Sequence, residues 1–219
     1  MPYAGYLILD FDGTIADTLE MALAVFNRVA PEYDLQPVGD RERELFRTKK
    51  PQELIRDFDI SKLKLLTLTL RIRKEMSRHI PEMKLFDGLD MALREIRDAG
   101  YGLGILTSNS VENVRKFIDI NNLTDLFDFI YSGKSFLGKD KVIRKMINRE
   151  QLPAGRIVYA GDETRDIEAC RAAGIPVIAV SWGLNRRELL ASLLPDQIAD
   201  NPSELPERVR QVFISGPVR

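Results

Sequence analysis

Residues 6–14, Tyr6-Leu7-Ile8-Leu9-Asp10-Phe11-Asp12-Gly13-Thr14, begin as an apolar run and end at a turn. A short apolar run of this kind is typical of a strand buried on both faces of a parallel sheet. Asp10 and Asp12 follow the run, and side chains two residues apart in an extended chain point the same way. Gly13 and Thr14 supply a turn whose backbone amides can face an anion. The stretch predicts paired carboxylates at a strand end, although an ordinary polar turn would use the same residues.

Four further apolar runs predict strands, at 103–106, 127–131, 157–160 and 176–180. Between them, apolar side chains recur every three or four residues, as in amphipathic helices that begin near residues 89, 111, 142 and 167. Strands that alternate with helices predict an α/β fold with a doubly wound, Rossmann-like parallel sheet. In such a sheet, ligands bind beyond the carboxyl ends of the strands.

The stretch from residue 17 to residue 84 interrupts this alternation with several helical candidates and no convincing buried strand. We therefore expect a Rossmann-like catalytic core made of residues 1–16 and 85–219, with an inserted helical cap domain at 17–84. Within the insert, residues 66–72 alternate with the period of a strand, but their leucines also fit one broad helical face. No turn signal separates them from Met76, which favours a helix.

The composition is that of an ordinary globular protein and argues against polymer partners. The chain has 219 residues, 44% hydrophobic and 30% charged, enough for one large domain or a core with an insert. Its 32 Lys and Arg nearly balance 33 Asp and Glu, so no bulk positive field exists to hold nucleic acid or an anionic membrane. With one cysteine, no basic leader and no membrane-length apolar run, we expect a cytoplasmic protein.

Polar residues also follow two other predicted strands. Thr107-Ser108-Asn109 comes just before a predicted helix, where it can cap the helix or hold a phosphate. Gly161-Asp162-Glu163-Thr164-Arg165-Asp166 contains two carboxylates four residues apart, although the helix dipole alone favours acidic residues in a first turn. Lys139 is at the start of the predicted helix between these strands. The positive end of the helix dipole disfavours a cation there unless a group outside the helix binds it. Together these strand ends predict carboxylate oxygens of the kind that Mg²⁺ selects.

The chain resembles the haloacid dehalogenase superfamily, whose four motifs it matches in order. The matching positions are Asp10–Thr14, Thr107, Lys139 and residues 161–166. Asp17-Thr18 and the helical insert are similar to its phosphoglycolate-phosphatase-like branch, which has a helical (C1-type) cap. The resemblance covers nearly the whole chain, from residue 5 to about residue 200. It implies a Mg²⁺-dependent phosphomonoester hydrolase that acts on a small phosphorylated metabolite through an aspartyl phosphate.

The resemblance also implies roles for individual residues. Asp10 is the expected nucleophile and Asp12 the general acid and base, with Asp12 reaching the metal through its backbone carbonyl. The expected phosphate-binding residues are Thr107, Ser108, Asn109 and Lys139. The expected Mg²⁺ ligands are Asp10, Asp12, Asp162 and Asp166. Because Asp12 is present, the metal-independent dehalogenase variant of the superfamily is disfavoured.

Several alternatives stay open at the level of sequence. Lys134 and Lys141 lie close enough to Lys139 to compete for its role, and Glu163 can be a further metal ligand or only a helix cap. A sugar-phosphate mutase, a phosphonatase or a pyrophosphatase would share this core, and so would a non-catalytic phosphometabolite-binding protein. The sequence does not decide between a monomer and a homodimer.

Charge in the insert bears on the substrate. Residues 41–84 hold 13 Lys and Arg against 7 Asp and Glu, a net charge of +6, which would attract an anionic substrate but also suits solvated helices. Arg47, Lys49 and Lys50 match the cap loop that selects substrates in related proteins. We expect them to influence specificity, with plain surface charge as the alternative.

Overall fold

The computed structural model describes residues 3–57, 60–133, 138–153 and 155–215. The strands are β1 (Tyr6–Leu9), β2 (Ala16–Asp17), β3 (Lys84–Leu85), β4 (Gly102–Thr107), β5 (Phe129–Ser132), β6 (Ile157–Gly161), β7 (Val177–Val180) and β8 (Gln197–Ala199). Six of them form one parallel sheet in the order β5-β4-β1-β6-β7-β8, and β2 pairs with β3 in a separate antiparallel ribbon.

Helices connect the strands of the sheet and fill the stretch between β2 and β3. They are α1 (Leu19–Val29), α2 (Asp40–Thr48), α3 (Pro51–Asp57), α4 (Lys62–Met76), α5 (Leu89–Asp98), α6 (Val111–Ile120), α7 (Lys139–Arg149), α8 (Thr164–Ala173), α9 (Arg187–Ser192) and α10 (Leu205–Ser215). Among the described residues, no helix combines the length and apolar character needed to cross a membrane.

The central strand β1 is buried on both faces, as its unbroken apolar sequence predicts. Leu7 and Leu9 pack in one apolar cluster with residues of α5, α6 and α10, whereas Ile8 packs in a second cluster with residues of α7, α8 and α9. Successive side chains of a strand point to opposite faces, so helices must cover both sides of the sheet. The predicted α/β fold with a doubly wound parallel sheet is confirmed.

The helical insert leaves and rejoins the sheet domain at one place. In the β2–β3 ribbon, Ala16 pairs with Leu85 and Asp17 pairs with Lys84, so the two chain crossings lie side by side. Between these strands α1 packs against α4. The helix predicted around residues 66–72 is confirmed as part of α4.

Two features of the sheet differ from the sequence-based expectation. Strand β5 begins at Phe129 rather than Phe127, and strand β8 was not predicted. With only Gln197, Ile198 and Ala199, β8 is too short to show a hydrophobic period, and its parallel pairing with β7 defines it instead.

The burial pattern of α4 provides a test of its helical packing. A strand would place Leu66, Leu68 and Leu70 on one face, but the helix buries Leu68 to 3% exposure and leaves Leu66 and Leu70 about half exposed. We therefore expect Leu68→Ala to lower the free energy of unfolding by about 2–5 kcal/mol, measured by urea denaturation.

The matched variants Leu66→Ala and Leu70→Ala should each change the free energy of unfolding by less than about 0.5 kcal/mol. Equal losses for all three leucines would contradict the helical packing of this segment.

Candidate active site

The candidate site lies at the carboxyl edge of the sheet, where three neighbouring strands end. Asp10 directly follows β1, Thr107 is the last residue of β4, and Asp162 directly follows β6. Because β1 lies between β4 and β6, Asp10 has the other two motifs on either side. Helix α5, which precedes β4, and helix α7, which precedes β6, cover opposite faces of the sheet, so the helical connections change face beside β1, which is where parallel sheets bind ligands.

Lys139 joins two of these motifs through its ammonium group. Its Nζ donates a hydrogen bond to Asp10 Oδ2 at 2.6 Å and another to Asp166 Oδ1. Burial opposes the charged ammonium, but the carboxylates of Asp10 and Asp166 outweigh it and raise the pKa of Lys139 well above its usual value. Lys141, the alternative considered from sequence, is exposed, and Lys134 lies outside the described residues.

Asp10, Asp162 and Asp166 form a buried acidic cluster. One carboxylate oxygen from each lies within 4.8 Å of the others. Burial raises the pKa of Asp162 well above its usual value, and burial together with the neighbouring carboxylates raises the pKa of Asp166 to about 6 although Lys139 opposes this rise. The carboxylates of this cluster are therefore costly to keep ionised in their buried place.

Asp12 adds a fourth carboxyl group beside this cluster. Its Oδ1 is enclosed and has no hydrogen-bond partner among the described residues. Burial and the adjacent charge of Asp10 raise the pKa of Asp12 to about 7, so this carboxyl group can hold a proton near neutral pH.

These residues fit a divalent cation. Three convergent carboxylates offer hard oxygen ligands, and the burial and mutual repulsion that raise the pKa values of Asp162 and Asp166 are costs that a cation would offset. The Oδ1 of Asp12 is a further enclosed oxygen beside the cluster that has no hydrogen-bond partner among the described residues. The cluster is thus a candidate metal site.

Two glycines allow the loops after β1 and β7 to approach Asp162. Gly13 has a φ of +77°, and a Cβ at this residue would lie 2.2 Å from Asp162 Oδ2. A Cβ on Gly183 would lie 2.2 Å from the carbonyl oxygen of Gly13. Larger residues at either position would push the loops away from the acidic cluster.

The same loops orient the Asp162 carboxylate. Its Oδ1 accepts a hydrogen bond from Thr14 Oγ1 at 2.9 Å, and its Oδ2 accepts one from the Leu184 amide at 2.8 Å. The indole Nε1 of Trp182 donates to the carbonyl oxygen of Thr14 at 3.1 Å, which ties the two loops together. Asp162 is therefore held in one orientation from both sides.

Thr107 and Ser108 line a small pocket together with Asp10 and Lys139. The Thr107 hydroxyl accepts a hydrogen bond from the Asn109 amide at 2.9 Å, which leaves its own proton available to a ligand oxygen. The Asn109 side chain instead accepts from the Ser110 amide and from the Asn113 side chain, each at 2.9 Å. Ser110 is the residue that caps α6, so Thr107 and Ser108 are not required for that purpose.

The geometry adds Arg165, which the sequence analysis did not select, to this pocket. Arg165 forms an ion pair with Glu163, and its Nε is enclosed without a hydrogen-bond partner among the described residues. The charge of the Glu163 carboxylate raises the pKa of Arg165, and it outweighs burial, which acts in the opposite direction. A signal for Arg165 existed in the sequence, because a cation in the first turn of a helix opposes the helix dipole just as Lys139 does.

Asn185 is another missed residue, and it links the insert to the core. Its Oδ1 accepts a hydrogen bond from the Thr164 amide at 2.9 Å, and its Nδ2 donates to the carbonyl oxygen of Phe46 at 3.3 Å. An asparagine after a strand gives no sequence signal that separates this role from an ordinary loop residue.

The pocket of Asp10 is not lined by the three cations predicted to influence specificity, Arg47, Lys49 and Lys50. Arg47 and Lys50 contact the core. Arg47 Nη2 donates to the carbonyl oxygen of Gly183 at 3.4 Å, beside the acidic cluster. Lys49 forms an ion pair within the insert, and Lys50 Nζ lies 3.2 Å from Glu168 Oε1 on α8. Their effect on specificity stays a prediction.

Comparison with known proteins places this geometry in a family. The haloacid dehalogenase-like hydrolase family model matches residues 7–180. The chain is 32% identical to a phosphoglycolate phosphatase of Synechococcus elongatus over 94% of its own length and 98% of that protein. It is 22% identical to the pyrophosphatase PpaX of Bacillus mycoides, over 91% of its length and 94% of that protein.

A solved structure supports the fold. The crystal structure of a predicted phosphatase from Clostridium acetobutylicum has a TM-score of 0.81 and 21% identity, and the match covers 96% of this chain and all of that one. The resemblance inferred from the strand-end motifs is confirmed by the family match and by the 32% identity. The chain belongs to the haloacid dehalogenase-like hydrolase family, and within it to the proteins similar to phosphoglycolate phosphatases.

Proposed function

We propose that this phosphatase hydrolyses a small phosphomonoester in two steps through a phosphorylated Asp10. The observation that supports this most is the position of Asp10, whose Oδ2 is held by Lys139 while Asp12 stands two residues away. A carboxylate nucleophile with a second carboxyl group beside it meets the needs of a mechanism that makes and then hydrolyses an acyl phosphate.

In the first step, a carboxylate oxygen of Asp10 attacks phosphorus as the bond from phosphorus to the leaving oxygen breaks. Asp12 gives its proton to that leaving oxygen, which departs as an alcohol. The raised pKa of Asp12, about 7, suits a group that must start this step protonated. Thr107, Ser108 and Lys139 hold the phosphoryl oxygens, and a role for Asn109 stays a prediction.

In the second step, Asp12 is ionised and accepts a proton from a water molecule. The water oxygen attacks phosphorus, the bond between phosphorus and Asp10 breaks, and inorganic phosphate leaves with Asp10 restored as a carboxylate. Asp12 regains its proton in this step, so the cycle closes without another proton donor. Lys139 stabilises the returning Asp10 carboxylate through the same hydrogen bond.

We propose Mg²⁺ as the ion of the acidic cluster, with ligands from Asp10, Asp162 and Asp166 and from the backbone carbonyl of Asp12. When bound, Mg²⁺ supplies positive charge that offsets the repulsion between an anionic nucleophile and an anionic phosphate ester. The oxygen-only ligand set supports this choice over metals that prefer nitrogen or sulfur.

Phosphoglycolate is the first substrate to test, because the relative with 32% identity is named for its hydrolysis. Pyrophosphate is the second, since pyrophosphatase PpaX matches a similar share of the chain at 22% identity. We further propose that residues 17–84 act as a cap, which excludes water from the pocket and contacts the leaving group.

Asp10→Asn should reduce turnover of phosphoglycolate at least about a thousandfold, because an amide cannot act as the nucleophile. Rapid acid quench followed by mass spectrometry should find a phosphoryl group on Asp10 in the unsubstituted protein and none in the variant.

Asp98→Asn, which changes an exposed aspartate at the end of α5, is the matched control and should keep full activity. A phosphoryl group on another residue, or normal turnover by folded Asp10→Asn protein, would remove Asp10 from the mechanism.

Magnesium binding should raise the thermal unfolding temperature of the protein, because the ion binds the folded cluster and not the unfolded chain. Asp162→Asn should abolish this rise, whereas Asp98→Asn should preserve it. Differential scanning calorimetry with increasing Mg²⁺, after treatment with a chelator, measures the effect without reference to turnover. A rise that survives in Asp162→Asn would place the ion elsewhere.

A further inference from the structure

Arg73 of the insert lies over the strand ends of the core. It stands on α4 one helical turn before Met76, and residues three apart share a helix face. Met76 is buried in the same apolar cluster as Phe11, the residue between Asp10 and Asp12. The packing of Met76 therefore places the half-buried Arg73 on the face of α4 that is turned toward the core, where the charges of Asp10 and Asp12 act on it.

Arg73 has no counterion of its own. Among the described residues its guanidinium forms no hydrogen bond or ion pair, whereas Arg71 on the same helix pairs with both Glu32 and Glu75. The charged groups that act on Arg73 are Arg165, Asp12 and Asp10, all of them in the core site. Burial lowers the pKa of Arg73, and the charge of Arg165 lowers it further. The positive charge of this guanidinium is therefore costly where it lies.

Arg165 is the cation of the core whose charge acts on Arg73. It lines the pocket that contains Asp10, Ser108 and Lys139, and its Nε is enclosed without a partner. Glu163 pairs with only one end of its guanidinium. The two guanidiniums repel each other, and both have N–H donors without a partner among the described residues. An anion bound between them would satisfy these donors and offset the repulsion.

We propose that Arg73 and Arg165 bind a second anionic group of the substrate, so that the protein selects small phosphomonoesters whose leaving group carries a carboxylate or another phosphate. This inference rests on the proposed function and adds to it the part of the substrate that the cap reads. Lys139, Thr107 and Ser108 take the phosphoryl group that is transferred, which leaves the two arginines for the leaving group.

Selectivity follows from the cost of an unpaired buried charge. A leaving group with an anion gives Arg73 a counterion and uses the free donors of Arg165, whereas a neutral leaving group of the same size leaves Arg73 unpaired and the enclosed Nε of Arg165 unsatisfied. Arginine also brings several donors in a planar arrangement that matches the two oxygens of a carboxylate. The expected consequence is discrimination between esters that differ only in this group.

The test compares phosphoglycolate with 2-hydroxyethyl phosphate, in which an alcohol replaces the carboxylate, and with ethylene glycol bisphosphate. In Arg73→Gln we expect kcat/KM for phosphoglycolate to fall at least tenfold more than kcat/KM for 2-hydroxyethyl phosphate. Arg165→Gln should shift the ratio in the same direction and serves as the second variant if Arg73→Gln does not fold.

Lys74→Gln is the matched control, because Lys74 is the next residue on α4, is exposed and carries the same charge. It should leave the ratio unchanged. A selective loss with the bisphosphate alone would assign the subsite to a second phosphate rather than to a carboxylate. Equal losses for all three esters, or no loss for any, would overturn the proposal.

A binding measurement separates this inference from the proposed function. In an Asp10→Asn background, adding Arg73→Gln should weaken phosphoglycolate binding at least tenfold by isothermal titration calorimetry, with a smaller effect on 2-hydroxyethyl phosphate. Arg73-dependent binding in this background, together with no turnover of phosphoglycolate by the unsubstituted protein, would keep the anion subsite and reject the catalytic proposal. Turnover of phosphoglycolate by the unsubstituted protein, with binding that does not depend on Arg73, would keep the catalytic proposal and reject the anion subsite.

Discussion

The site depends on one buried ammonium group placed among carboxylates that outnumber it. Lys139 bonds to Asp10 and Asp166, and these contacts join the end of β1 to α7 and α8. A charge this deeply buried is favourable only while its partners stay in place. Burial, and then the charges of neighbouring carboxylates, raise the pKa values of Asp162 and Asp166, so a further cation would stabilise their ionised forms. The cost of keeping these carboxylates buried and charged is what makes the cluster a candidate metal site.

The core gathers carboxylates at the strand ends, and the insert places a cation near them. The core supplies carboxylates at the ends of parallel strands, where they converge because β1 lies between β4 and β6. The insert supplies Arg73, a cation that finds no partner among the described residues. Under the proposal, an anionic substrate completes both sets of charges, since its phosphoryl group meets the core and its leaving group meets Arg73 of the insert and Arg165 of the core. The core would then supply the chemistry, and the two segments would share the specificity.

The sequence predicted the parts of the site that follow buried strands, and missed those that depend on packing between segments. Unbroken apolar runs located β1, β4 and β6, so the motifs after them could be assigned to one edge of the sheet. The helix of residues 62–76 was predicted despite its alternating leucines, whereas β8 was missed because three residues show no period. Arg165 carried the same signal as Lys139 and was not selected. Arg73 carried none, since only the burial of Met76 against the core distinguishes it from its basic neighbours.

Asp10 should carry the phosphoryl group during turnover, with Lys139, Thr107 and Ser108 around it. A crystal structure with Mg²⁺ and beryllium fluoride, which mimics an acyl phosphate, would show this arrangement. We expect beryllium bonded to an Asp10 oxygen, fluorine atoms in contact with Lys139 and Thr107, and the ion bound by Asp10 and Asp162. Beryllium fluoride on any other carboxylate, or an ion bound away from Asp162, would rule out this mechanism.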